Sequence, residues 1–306
     1  MHEPFKGPSV WTRKGLEADQ SWRRQWSDAE VAEIDAALAH AKAAGVEWLD
    51  VSRQTFPLKT VADVLTTIAD DLENGLGFVL LQGFPVERYA PDDLRLIWMG
   101  LGHWLGAPVT QDNTGQMMRD IQAEPGDLGA KHESVKDNTG GEFLSSKART
   151  YSNGGLRYHT DRTDVVGLLM VRRSASGGES RVTSTAAVHN AILERRPDLL
   201  ELLYQPIWRS RLGEEVGGGD DAYPLPVFGV ESGKLTSHYS RTYVEAAQMQ
   251  PGVPKMTAAQ RAALAMLDVV ADALPLGFDL QPGGLTLINR HIAYRDSLDF
   301  HEDPGA

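Results

Sequence analysis

Of the nine histidines in the 306 residues, His159 stands in a setting suited to chemistry: Tyr158-His159-Thr160-Asp161. In a strand, alternate side chains share a face, so His159 and Asp161 can point together at one cation. An imidazole and a carboxylate so spaced, completed by a distant histidine, make the facial triad of non-heme iron centres, which keeps metal positions open for other ligands. A turn histidine bonded to a neighbouring aspartate satisfies the same residues, and the spacing alone does not separate the two. Cysteine is absent, which removes disulfides, thiolate nucleophiles, iron–sulfur clusters and cysteine-held zinc. Any metal must be held by His, Asp, Glu or other oxygen donors.

Composition narrows the partners. A formal net charge of −12 argues against nucleic acid, which calls for a basic surface. No run of apolar residues is long enough for a membrane span, and the first residues show no secretory apolar segment. With 42% apolar and 24% charged residues, the chain reads as soluble and cytoplasmic. A homo- or hetero-oligomer is compatible with the sequence. Gly178, Gly217-Gly218-Gly219 and Gly283-Gly284 do not continue into a phosphate loop and read as turns. The pair Asp220-Asp221 reads as solvated loop. Trp98, Trp104 and Trp208 read as core, and Arg241 as the partner of a carboxylate.

The elements that must position His159 and Asp161 are legible in part. Ser27 to Glu30 and Thr257 to Gln260 are capping boxes that open helices. Thr60 to Asn74 repeats an apolar face at helical spacing, and Pro91 opens another helix. Gly77 to Gly83 and Val165 to Val171 are apolar runs expected as strands, the latter covered on both faces. Pro226 to Val230 and Leu235 to Tyr239 flank a hairpin turn at Glu231 to Lys234. Phe278 to Leu280 and Leu285 to Ile288, joined by Pro282-Gly283-Gly284, are expected as a further strand pair. Residues 117–154 lose the pattern and are expected as a loop, with a lid as its role. Short strands with helices around them point to an α+β fold with a jelly-roll barrel. The expected organisation is one domain over 1–306 with an N-terminal helical part at about 1–75.

The ordered pieces His159-Thr160-Asp161, Val165 to Val171, Ser176-Gly177-Gly178, Ser184-Thr185 and Arg196-Pro197-Asp198-Leu199 resemble the TauD/TfdA family of Fe(II)/2-oxoglutarate-dependent dioxygenases. GFVLLQGFPVERY near residue 80, RLGEEVG near 213 and HYSRTYVEAAQ near 240 extend the resemblance to roughly residues 30–300. It implies a double-stranded β-helix with flanking helices. It also implies His159 and Asp161 as iron ligands, Ser180 as a contact to the 2-oxoglutarate carboxylate, and a small-molecule substrate oxidised with dioxygen. Asp161, as a carboxylate, implies hydroxylation rather than halogenation.

The same resemblance places the third ligand, a histidine, near the C-terminal end of the chain. Aligned without gaps, that position holds Arg295; a one-residue gap puts Tyr294 there. A guanidinium has no lone pair for a metal. His291 shares strand parity with residue 295 but lies about 13 Å away at strand rise, and His301 falls in an expected loop. The family's arginine clamp for 2-oxoglutarate is also expected beyond residue 295, where only Asp296 to Ala306 follow. Three readings are open: a chain altered or truncated relative to a working enzyme, a pseudo-oxygenase that keeps the fold and binds or partners, or a site completed by water, substrate or another chain.

Overall fold

Both capping boxes form. The Ser27 hydroxyl accepts from the N–H of Glu30 while the Glu30 carboxylate accepts from the N–H of Ser27, and Thr257 and Gln260 do the same. The computed structural model describes residues 2–112, 114–124, 126–132, 134–136, 142–144, 146–211 and 222–301. Helices Asp28–Ala43, Thr60–Asn74 and Pro91–Leu105 bury Ile34, Leu65, Ile68 and Ile97 in one apolar cluster. Trp98 and Trp104 pack partly buried against that cluster.

Two four-stranded sheets make the core. The first runs Arg23–Gln25, Phe78–Gln82, Leu285–Asn289, Val165–Leu169, and the second runs Leu276–Phe278, Ser180–Ser184, Ala293–Ser297, Leu156–His159. Strand alternation decides what each face meets. In Phe78–Gln82, Val79 and Leu81 join the helical cluster, while Phe78 and Leu80 join Ile288, Val182, Phe278 and Ala293 in a cluster drawn from both sheets. On the second sheet Tyr158 and Tyr294 point the other way, into a cluster with helices Thr185–Arg195, Pro197–Leu203 and Ala258–Ala273. The result is a jelly-roll core with helices packed on the outside, an α+β arrangement. No helix among the described residues is long and apolar enough to cross a membrane.

Two expectations change. Leu276–Phe278 and Leu285–Asn289 do not pair: the first bonds Ser180–Ser184 in the second sheet, the second fills the middle of the first. Pro282-Gly283-Gly284 is therefore a corner between sheets. Gly283 sits at φ +77°, where a Cβ would lie 1.9 Å from the Phe84 carbonyl oxygen, so only glycine fits. The apolar run at 165 ends as a strand at Leu169, half-buried rather than covered, with Val171 exposed. The hairpin forms as Phe228–Glu231 and Lys234–Ser237 about Ser232 and Gly233, both at positive φ, as a two-residue primed turn requires.

Within 117–154 the described residues include short helices Leu128–His132 and Ser146–Thr150 and the strand pair Ser134–Lys136 and Glu142–Leu144. Most of the RLGEEVG match, Gly217 to Gly219 and Asp220-Asp221 lie outside the described residues, as do residues 302–306.

Candidate active site

His159 ends its strand, so Asp161 lies beyond the ladder and needs another anchor. Thr160 provides it. The buried Thr160 donates its N–H to the Tyr239 carbonyl at 2.7 Å, and its hydroxyl accepts from the Tyr239 N–H at 2.9 Å. This clasp ties the His-Thr-Asp turn to the segment after the Lys234–Ser237 strand. The Asp161 carbonyl is held in turn by Arg290 Nη1 at 3.1 Å.

The His159 ring has one assignable tautomer. Its Nδ1 lies 2.8 Å from the Arg157 carbonyl, which can only accept, so Nδ1 carries the proton. Burial and the charge of Arg295 outweigh the pull of Asp161 and the Arg157 carbonyl and leave its pKa below the usual range, so the ring is neutral and Nε2 presents a lone pair. That nitrogen is 3.8 Å from Asp161 Oδ1. The two residues are brought together, with side chains 17% and 23% exposed.

Arg295 completes the group. It stands directly opposite His159 in the ladder and shares the inward parity of Ala293. Its Nε donates to Asp161 Oδ2 at 2.7 Å and its Nη2 to Oδ1 at 2.8 Å, the bidentate fork that suits a carboxylate. Burial pushes the Asp161 carboxyl up, but the charge and hydrogen bonds of Arg295, with smaller help from His159 and Arg290, outweigh it and hold it at about 2. The carboxylate is ionised and both its oxygens are engaged. The register excludes the gapped alternative, because Tyr294 faces outward, buried, with its hydroxyl 2.7 Å from Ser237 Oγ.

The other sequence candidates fall elsewhere. Ser180 opens the Ser180–Ser184 strand opposite Ser297, and among the described residues its side chain makes no hydrogen bond to His159, Asp161 or Arg295. His291 lies in the turn before Ala293–Ser297, beside Arg290 at 3.3 Å and Asp164 at 3.9 Å, and not against His159. The side chain of His301 lies outside the described residues. Arg241 pairs with Glu245 and Asp268. Sequence reading missed Arg290, His238 and Arg209. Arg290 Nη1 is 3.1 Å from His238 Nδ1, and the buried Arg209 donates to the carbonyls of Pro226 and His238. They come from three distant segments, and although His238 opens the HYSRTYVEAAQ match, nothing in the order of residues joins it to the two arginines.

Against a divalent cation this donor set offers His159 Nε2 and Asp161, and then a guanidinium. Among the described residues no three His, Cys, Asp or Glu side chains gather as a metal site. As folded, the residues do not fit an iron ion.

The chain matches the family described as "Taurine catabolism dioxygenase TauD, TfdA family" over residues 35–293. It is 26% identical to FR-33289 synthase of Streptomyces rubellomurinus, covering 99% of this chain and 88% of the relative. In fold it is similar to asparagine oxygenase in complex with Fe(II), hydroxyasparagine and succinate, with a TM-score of 0.69 at 15% identity over 92% of this chain and 89% of that one. It is also similar to the non-heme iron oxygenase OrfP in complex with Fe and α-ketoglutaric acid, with a TM-score of 0.63 at 16% identity over 92% and 89%. A match over most of the chain, on a jelly roll that carries His159 and Asp161 side by side, makes this chain a member of the TauD/TfdA family of non-heme iron dioxygenases, whose cofactors are Fe(II) and 2-oxoglutarate.

Proposed function

We propose that this family member keeps the barrel of a hydroxylase-type oxygenase as a binding site for a small molecule, and that an internal ion pair has replaced its iron centre. The observation that carries the reading is the bidentate bond from Arg295 to both oxygens of Asp161. The guanidinium supplies the positive charge that a metal would bring, and it offers no lone pair. Withdrawing one partner from a buried pair costs about 3–5 kcal/mol, less where water reaches it. An iron ion gripped by two protein donors instead of three has to offset that cost. In this reading the protein is cytoplasmic, forms one domain, and uses segment 117–154 as a lid; Ser180, on the inward parity of Val182, lines the bound molecule.

A second reading, oxidation of a small-molecule C–H bond, is favoured by the tautomer of His159, whose Nε2 faces Asp161 as a ligand nitrogen would. It requires Arg295 to leave the carboxylate. Anaerobic titration with Fe(II) and 2-oxoglutarate, followed by a succinate assay in air, separates the two. The binding reading expects no charge-transfer band and no iron-dependent succinate from the wild type, and a gain of iron binding in Arg295→His. A band in the wild type, with succinate release that His159→Ala abolishes, overturns it in favour of the oxygenase.

A further inference from the structure

We infer that Arg209, Arg290 and His238 form an oxyanion site beside Asp161, built for the carboxylate or phosphoryl group of a small molecule. The inference deepens the binding reading above by naming its ligand class, but it stands on different residues. Arg209 is 1% exposed, and its Nε and Nη1 are buried without a hydrogen-bond partner among the described residues. Only Nη2 is used, on the carbonyls of Pro226 and His238. Burying an unpaired cation is costly, and a buried donor left without an acceptor calls for an explanation.

Among the described residues no carboxylate pairs with Arg209. Tyr223, Tyr239, Tyr294 and Arg162 are the groups that act on its charge, and burial lowers its pKa to about 10, which leaves it cationic at neutral pH. Arg290 and Arg209 form no salt bridge among the described residues. Asp161, whose charge Arg290 acts on, already has both oxygens bonded to Arg295. His238 is neutral: burial, Arg209, Arg290 and Arg162 hold it at about 3. Its Nδ1 accepts from Arg290, so its proton sits on Nε2 and adds a donor. The cluster is therefore rich in N–H donors and positive charge and short of acceptors. A guanidinium pair with an imidazole N–H matches a planar carboxylate or a phosphoryl oxygen set. Arg290, half-buried, is the residue an incoming anion meets; Arg209 adds buried donors. Neither residue occupies the position beyond 295 where the family resemblance puts its clamp.

The test uses the full chain in the presence of a chelator, so iron plays no part. Thermal shift and calorimetry are run with 2-oxoglutarate, succinate and inorganic phosphate on the wild type, Arg209→Lys, Arg209→Met and Arg290→Gln. Saturable binding by the wild type is expected, weakened about tenfold or more in Arg290→Gln and Arg209→Met. Preference for the dicarboxylates over phosphate would assign the carboxylate class, and the reverse the phosphoryl class. If Arg209→Met does not fold, Arg290→Gln and Arg209→Lys carry the comparison. No saturable binding by the wild type, or binding that the variants leave unchanged, overturns the site. The iron titration is independent: a charge-transfer band would defeat the pseudo-oxygenase reading without touching this result, and anion binding could fail while iron stays unbound.

Discussion

Strand Ala293–Ser297 carries two arginine–aspartate pairs on its opposite faces, and they behave differently. On the outer face Asp296 meets Arg181, with Nε to Oδ1 at 2.9 Å and a second bond from Nη2, and Arg181 also reaches Asp272 at 3.1 Å and lies over the Tyr158 ring. On the inner face Arg295 meets Asp161. The outer aspartate side chain is 3% exposed and the inner one 23%. Burial dominates at Asp296 and leaves its pKa raised despite Arg181, whereas at Asp161 the balance tips the other way, with Arg295 prevailing over burial. The same fork thus serves as a structural tie under the helices and, one residue away, as the partner of the His-Thr-Asp carboxylate.

Breaking the pairs should separate these roles. Arg181→Met strands a charge at Asp296 with almost no access to water, and should cost about 3–5 kcal/mol of unfolding free energy. Asp161→Asn strands Arg295 where some water reaches, and should cost about 1–3 kcal/mol; denaturant unfolding of both variants ranks them. Equal losses would mean that the inner pair is as structural as the outer one.

Acid should drive the two in opposite directions. Asp161 has a lowered folded pKa, so its contribution is present above the unfolded value near 3.8 and is lost as pH falls toward about 2. Asp296 has a raised pKa, so the native state binds its proton more tightly and gains stability as pH falls through that value. Stability measured across acidic pH should lose slope of opposite sign in Asp161→Asn and Asp296→Asn. The smallest effect should come from the clasp: Thr160→Val should cost about 1–2 kcal/mol by leaving the Tyr239 N–H without its acceptor, while Thr160→Ser should restore most of it.

Local chemistry was readable from the chain. Ser27, Thr257, Gly233 and the His-Thr-Asp spacing act over a few residues, so their partners stand beside them in the sequence. Arg295 was legible only through the family resemblance, whose alignment left Tyr294 open as the gapped alternative; the ladder, which sets Arg295 opposite His159, decides between them. The crossing of Leu276–Phe278 to a different sheet from Leu285–Asn289 was not, since two short apolar runs around a glycine turn look the same whether they pair or part. The Arg209, His238 and Arg290 cluster was not either: its contacts join residues dozens of positions apart, and burial of a lone arginine leaves no periodic trace.

The position of Leu285–Asn289 has a kinetic consequence. It lies between Phe78–Gln82 and Val165–Leu169 and bonds to both, yet it is made long after either. A ribosome must therefore release two apolar strands that have no common partner until this one arrives. Contacts of such high sequence separation make folding slow, and the waiting strand edges are the surface on which a nascent chain aggregates. The centre of the first sheet is its last strand to be synthesised, and until then the edges of Phe78–Gln82 and Val165–Leu169 that it will join stay without it.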